Sequence, residues 1–167
     1  MSEARFQVRR MNAEDVAPVS ALARRVWQST YSALISQAQI DAMLSDRYAP
    51  ARIRAQLDDS AHGWWVAHQD LMLAGFAHAM MDPADCKLDK LYVHPDAQHR
   101  GVGQTLLHAI RQWAGQRHAG RLWLQVNRGN AQAIAAYRKY GFRIVESRVF
   151  DIGNGFVMDD YLMEQRL

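Results

Sequence analysis

The tightest constraint on this chain's fold is a short strand that runs into a glycine turn and directly on into a helix. Residues 87–93 carry Leu88, Leu91, Tyr92 and Val93 and stop at His94-Pro95. Proline there removes a ladder donor and restricts its predecessor to extended backbone. Gln98-His99-Arg100-Gly101-Val102-Gly103 follows, and Val102, Leu106, Leu107, Ile110 and Trp113 then recur at helical spacing. Such a turn leaves backbone N–H groups unpaired at the helix start, beside the positive end of the helix dipole. That is an anion site. Gly101 and Gly103 remove side chains where a phosphate must approach the backbone, and Arg100 adds a cation. The turn therefore suits a pyrophosphate. An ordinary helix start with glycines for packing fits the two glycines equally well. The third glycine of a dinucleotide fingerprint is missing, its place taken by Leu106, and the Gly-Lys-Ser/Thr of a P-loop is absent.

Around this unit the patterning predicts the order β-α-α-(α)-β-β-β-α-β-α-β-β. A first strand covers residues 5–10, and Asn12, with Asp15 three residues on, opens a helix carrying Val16, Val19, Leu22, Ala23, Val26 and Trp27. A second helix starts at Ser36 with Ile40, Met43 and Leu44, and Pro50 begins a third piece through Ile53 and Leu57. Residues 64–67 and 71–81 read as strands joined by a tight turn near Gln69-Asp70. A strand over 122–126 and a helix over 131–140, closed by Gly141, come after the glycine-turn helix. Two last strands, 142–152 and 156–164, join through Gly153-Asn154-Gly155. Strands alternating with helices in the second half imply a mixed α/β sheet.

Bulk properties narrow the field by exclusion. At 167 residues the chain fits one domain spanning residues 1–167. Its 49% hydrophobic and 22% charged content is that of a globular protein. A net charge of +3 without a Lys/Arg run gives no footprint for nucleic acid. Cys86, the single cysteine, permits no internal disulfide and reads as a small buried hydrophobe. The seven histidines make no metal-ligand pattern, so no metal is expected. No apolar run reaches the roughly 20 residues that span a bilayer, and the opening Met-Ser-Glu-Ala-Arg-Phe lacks the apolar stretch of a signal peptide. The expectation is a cytoplasmic protein with no membrane partner.

Two motifs sharpen the reading. Leu91-Tyr92-Val93-His94-Pro95 followed by Gln98-x-x-Gly101-x-Gly103 resembles motif A of the GNAT superfamily of N-acetyltransferases. Asn127-Arg128-Gly129-Asn130-Ala131, then Ala135-Ala136-Tyr137-Arg138-Lys139-Tyr140-Gly141-Phe142, resembles its motif B. The resemblance covers the whole element order. It implies an α/β (α+β) fold: a mixed, mostly antiparallel sheet with a central parallel pair splayed to hold CoA, flanked by helices. It implies acetyl-CoA as co-substrate. Its pantetheine arm would pair with backbone groups of Leu91, Tyr92 and Val93. Its pyrophosphate would take N–H groups from Gln98, His99, Arg100, Gly101, Val102, Gly103 and Gln104. Asn130 would bond the cofactor arm, Tyr137 would stand near the thioester sulfur, and Lys139 would lie near the nucleotide end. A tyrosine hydroxyl is a suitable proton donor to a leaving thiolate, and an N–H of the 91–93 strand suits the charge that gathers on the carbonyl oxygen. A helical tyrosine is otherwise a core aromatic with a polar tip.

The acceptor end is less defined. An aliphatic ammonium has a pKa near about 10 and must lose a proton before attacking. The resemblance points to residues 87 and 89 for a base. Lys87 departs from the carboxylate of many relatives, whereas Asp89 shares strand parity with Leu91 and Val93 and so could face the cleft. Alternatively, Asp89 pairs with Lys87 or Lys90 on the sheet surface. Trp27 and Tyr31, one helical turn apart, form either an aromatic wall for an ammonium or part of the core. The layout Trp27-x-x-x-Tyr31, Ile40-x-x-Met43-Leu44 and Tyr161-Leu162-Met163-Glu164 resembles PaiA-like polyamine N-acetyltransferases. The expected activity is acetyl transfer to a primary amine of a small molecule in a direct ternary complex. A catalytically idle acyl-CoA sensor and an acetyltransferase of protein N-termini are the alternatives. The C-terminal strands offer an edge for a homodimer.

Overall fold

The structure, a computed structural model, describes residues 6–167; Arg5, where the first strand is expected to begin, lies outside them. The elements are β1 (Gln7–Arg10), α1 (Val16–Tyr31), α2 (Gln37–Arg47), α3 (Pro50–Leu57), β2 (His62–Gln69), β3 (Met72–Asp82), β4 (Asp85–Val93), α4 (Val102–Gln116), β5 (Arg121–Asn127), α5 (Ala131–Lys139), β6 (Arg143–Gly153) and β7 (Phe156–Arg166). The expected order is present, with strands extended by one or two residues at most ends.

The helix starts have local causes. The Asn12 side chain accepts from the backbone of Glu14, and Asp15 returns a bond to the Asn12 backbone, closing a capping box around a 3-10 turn that feeds α1. The Ser36 hydroxyl accepts from Gln39 N at 3.1 Å. Gln39 itself donates to the carbonyl of Val157 at 2.9 Å, tying α2 to the β6–β7 hairpin.

All seven strands form one sheet in the order β1-β2-β3-β4-β5-β7-β6. Every neighbouring pair is antiparallel except β4 and β5. That parallel pair touches only at Cys86–Leu122 and Lys87–Trp123, after which the strands diverge. Each strand stays paired on its other side, β4 to β3 at every residue but Asp89 and β5 to β7 throughout, so the split is held open by the rest of the sheet.

The two faces are covered separately. Trp64, Val66 and Phe76 pack under α1–α3, while Trp65, Ala67 and Leu88 pack under α4 and α5, as strand alternation requires. In α4, Leu106, Leu107 and Ile110 are wholly buried, each contributing about 1.5–3 kcal/mol by burial. Cys86 is buried in the same layer.

Candidate active site

The glycine turn has the geometry expected of an anion cradle. His94 opens a short 3-10 turn, its Nδ1 accepting from Asp96 N at 3.0 Å. His99 (φ 63°) and Gly101 (φ 85°) both take left-handed backbone, which Gly101 does without strain. The first helical bond joins Thr105 N to the Gly101 carbonyl at 3.0 Å, leaving the N–H groups of Val102, Gly103 and Gln104 without intrahelical acceptors. Gly103 has a further reason to be glycine: a Cβ there would lie 2.9 Å from the Tyr140 hydroxyl. Gln98, Arg100 and Gln104 are exposed around this spot.

The split between β4 and β5 starts at the sheet centre and opens toward the turn. Residues 88–93 have no ladder partner on the β5 side, which leaves free backbone groups where an extended amide chain can add to the edge. Tyr137 on α5 is half-buried among Tyr140 and Phe142, with ring centroids 6.5 Å and 5.6 Å away. Burial, reinforced by Tyr31 and Tyr140, raises its hydroxyl well above the ordinary tyrosine range. It thus stays protonated at neutral pH, as a donor must. The Asn130 side chain caps α5 with its oxygen, accepting from Ala133 N at 3.2 Å. Lys139 is exposed in the last turn of α5 and makes no ion pair among the described residues.

A cleft of about 590 Å³ adjoins the split on the α1–α2 face. Trp27 and Tyr31 line it, their rings 4.4 Å apart, and Tyr92 joins them with its hydroxyl 3.4 Å from that of Tyr31. Trp27 borders the cleft while only 1% exposed, its indole donating to the Tyr48 hydroxyl at 3.3 Å. The turn of the β6–β7 hairpin, through Ile152, Gly153, Asn154 and Phe156, closes the far side.

Asp89 also borders the cleft, but the parity that links it to Leu91 and Val93 is broken. The β3–β4 ladder pairs His78 with Lys90 and Ala79 with Leu88, so Asp89 is the extra residue of a β-bulge. Cys86, Leu88, Leu91 and Val93 consequently pack toward α4, whereas Lys90 and Tyr92 turn toward the α1–α3 face. Asp89 sits at that switch, bonded to Arg47 at 3.0 Å, to His78 Nδ1 at 2.9 Å and to Lys90, with Lys87 at 3.7 Å. Burial alone would raise its carboxyl. The charges of Lys90 and Arg47 and the His78 bond outweigh burial and hold it well below the ordinary range. The partners pay in turn: burial lowers Lys90 to about 8 and His78 to about 4, despite the pull of Asp89 on both. His78 is 1% exposed and satisfied, its Nε2 lying 2.8 Å from His62 Nδ1.

Comparison with known proteins agrees with this geometry. Residues 25–142 match the profile of the Acetyltransferase (GNAT) family. The chain belongs to that family. An uncharacterised N-acetyltransferase of Mycobacterium tuberculosis is 29% identical over 92% of this chain and 98% of its own length. A spermidine N(1)-acetyltransferase of Thermoplasma acidophilum is 24% identical over 92% of this chain and 96% of its own. In structure, the PaiA N-acetyltransferase of the same organism, crystallised with coenzyme A, superposes with a TM-score of 0.85 at 23% identity, covering 98% and 99% of the two chains. This GNAT protein is therefore an acetyl-CoA-dependent N-acetyltransferase, and its splayed parallel pair is the fold's shared frame.

The alternative in which Asp89 pairs with Lys87 or Lys90 is the arrangement seen, buried at the cleft wall and not on the sheet surface; Arg47 and the place of Asp160 were not legible. A signal for the buried cluster existed: Lys87-Leu88-Asp89-Lys90 puts three charges in a strand otherwise fit for the core. Such a run on a central strand requires an internal counter-charge.

Proposed function

We propose that this enzyme acetylates a primary amine of a small molecule, with polyamine-like amines the first class to try. The carrying observation is the shape of the cleft. It adjoins the β4–β5 split and is closed by the β6–β7 turn. At about 590 Å³ it has the size of a small-ligand site. Tyr31 and Tyr92, with Trp27 packed behind them, give the cleft an aromatic lining that suits an ammonium or an alkyl chain, and the named activity of the Thermoplasma relative is spermidine acetylation.

In this reading the free backbone of residues 91–93 carries the pantetheine arm. The N–H groups of Val102, Gly103 and Gln104, with exposed Arg100, receive the pyrophosphate. Tyr137 protonates the leaving sulfur. Asp89 is a charge anchor that holds Arg47, Lys87 and Lys90 in place, since a carboxylate so strongly paired is a poor proton acceptor. The test is thiol release from acetyl-CoA with spermidine, spermine, amino acids and short peptides as acceptors. Turnover concentrated on small di- and polyamines supports the reading. Turnover only with peptides, or none at all, removes it.

A further inference from the structure

Three carboxylates line the cleft, and two are committed. Asp46 pairs with Arg52 at 3.0 Å, and Asp89 is bound by Arg47, Lys87, Lys90 and His78. The third, Asp160, is 5% exposed and accepts no hydrogen bond or ion pair among the described residues, its Oδ1 wholly buried without a partner. Its neighbour Asp159 is exposed and takes the available cation, Arg128, at 3.5 Å. Arg148, opposite Asp160 in the β6–β7 ladder, bonds Glu146 instead. A buried oxygen left unpaired costs about 1–3 kcal/mol; with Oδ1 sealed off and Oδ2 equally unbonded, the carboxylate has only its cleft side, through Oδ2, for a donor that arrives with the substrate.

Its position supports that reading. Asp160 lies on β7 opposite Asn127 of β5, the strand that forms one wall of the split, and both line the cleft. Tyr31 of α1 lines the same cleft. Arg47 and Lys87 face it from α2 and β4, and Asp159 adjoins it on β7. Burial raises the carboxyl to about 6 against the pull of the two cations, close to the working pH at which a general base is most effective.

We propose that Asp160 receives the ammonium group of the acceptor and takes the proton it must lose before attack. The proposal rests on the cleft being the acceptor site. The ammonium gives one proton to the Asp160 carboxylate, and the freed nitrogen pair forms the C–N bond to the acetyl carbon. The C–S bond then breaks with its electron pair on sulfur, which takes the Tyr137 proton. Tyr137 regains one from the second proton on nitrogen, and Asp160 releases its own to solvent.

The test compares wild type with Asp160→Asn and Asp160→Glu, using spermidine and the weakly basic trifluoroethylamine as acceptors and measuring CoA affinity in parallel. Asp160→Asn should lose about 10²–10⁴-fold in kcat/KM for spermidine, with CoA affinity unchanged as evidence of an intact fold. The loss should shrink at least tenfold for trifluoroethylamine, which is largely neutral before it binds. Asp160→Glu should recover part of the spermidine activity. An active wild type with an equally active Asp160→Asn, or an equal loss for both amines, overturns the base. A wild type silent toward every amine overturns the acceptor-site reading and this inference with it.

Discussion

Replacing Asp160 by asparagine should stabilise the protein at neutral pH. Burial lifts the Asp160 carboxyl from an ordinary 3.8 to about 6, so the folded state holds its proton more tightly than the unfolded chain does. That preference favours folding fully below about pH 3.8 and is lost as pH rises through about 6. At 1.36 kcal/mol per pH unit, keeping the carboxylate charged in this site at about pH 7.5 costs about 3 kcal/mol of folding free energy. At about pH 4.5 the same relation leaves only about 1 kcal/mol. Asparagine keeps the shape and carries no charge, so its advantage over wild type should shrink from about 3 to about 1 kcal/mol across that interval. His78 acts in the opposite direction: burial lowers it to about 4, and folding loses stability as pH falls from about 6.5 toward that value. It does so in both proteins and drops out of the difference. Urea unfolding at the two pH values, with equal slopes checked first, measures the effect. A difference of zero near neutrality, or one that ignores pH, would refute the assignment of an uncompensated buried carboxylate.

Four further outcomes follow from the geometry. Tyr137→Phe should lower kcat by about 10²-fold while CoA affinity, read by titration calorimetry, stays unchanged; undiminished turnover rejects the acid role. Asp89→Asn leaves Arg47, Lys87 and Lys90 without their shared counter-charge and should cost about 3–5 kcal/mol in urea unfolding at neutral pH, whereas a loss under about 1 kcal/mol sinks the anchor reading. Gly103→Ala brings a Cβ to 2.9 Å from the Tyr140 hydroxyl, which the Tyr140 ring relieves by shifting, so CoA affinity read by titration calorimetry should fall less than about tenfold, about 1.4 kcal/mol. Gly101→Ala meets no atom within 4 Å but keeps φ at +85°, so its cost should appear as about 1–2 kcal/mol of stability.

What the sequence made legible was local. The strand-turn-helix at residues 87–113 depends on proline, two glycines and a helical apolar series, all of which act on neighbours in the chain. The split between β4 and β5 came only through the resemblance, because no residue spacing reports that two distant strands pair for two residues and then part. The bulge at Asp89 was hidden for a related reason. Asp89 and Lys90 interrupt the alternation together, but which of the two is the extra residue is visible only against the partner strand. Asp160 was harder still. Nothing in the residues beside it in the chain says that Arg128 would go to Asp159 and Arg148 to Glu146.

The contrast between Asp89 and Asp160 shows why a list of carboxylates cannot name a base. Both residues border the same cleft and both are largely removed from water. Around Asp89 the sheet and α2 converge three cations and a histidine, and the cluster fixes the charge on the carboxylate. Around Asp160 the cations stop at Arg47 and Lys87, which bear on it without bonding it, and burial prevails. One group is thereby held permanently ionised and the other is poised to exchange a proton near neutral pH, which is how a single cleft separates an electrostatic anchor from a proton acceptor. The folded protein without its substrate bears the cost of that second arrangement. An arriving ammonium, by pairing with Asp160, removes that cost at the step where the proton must move.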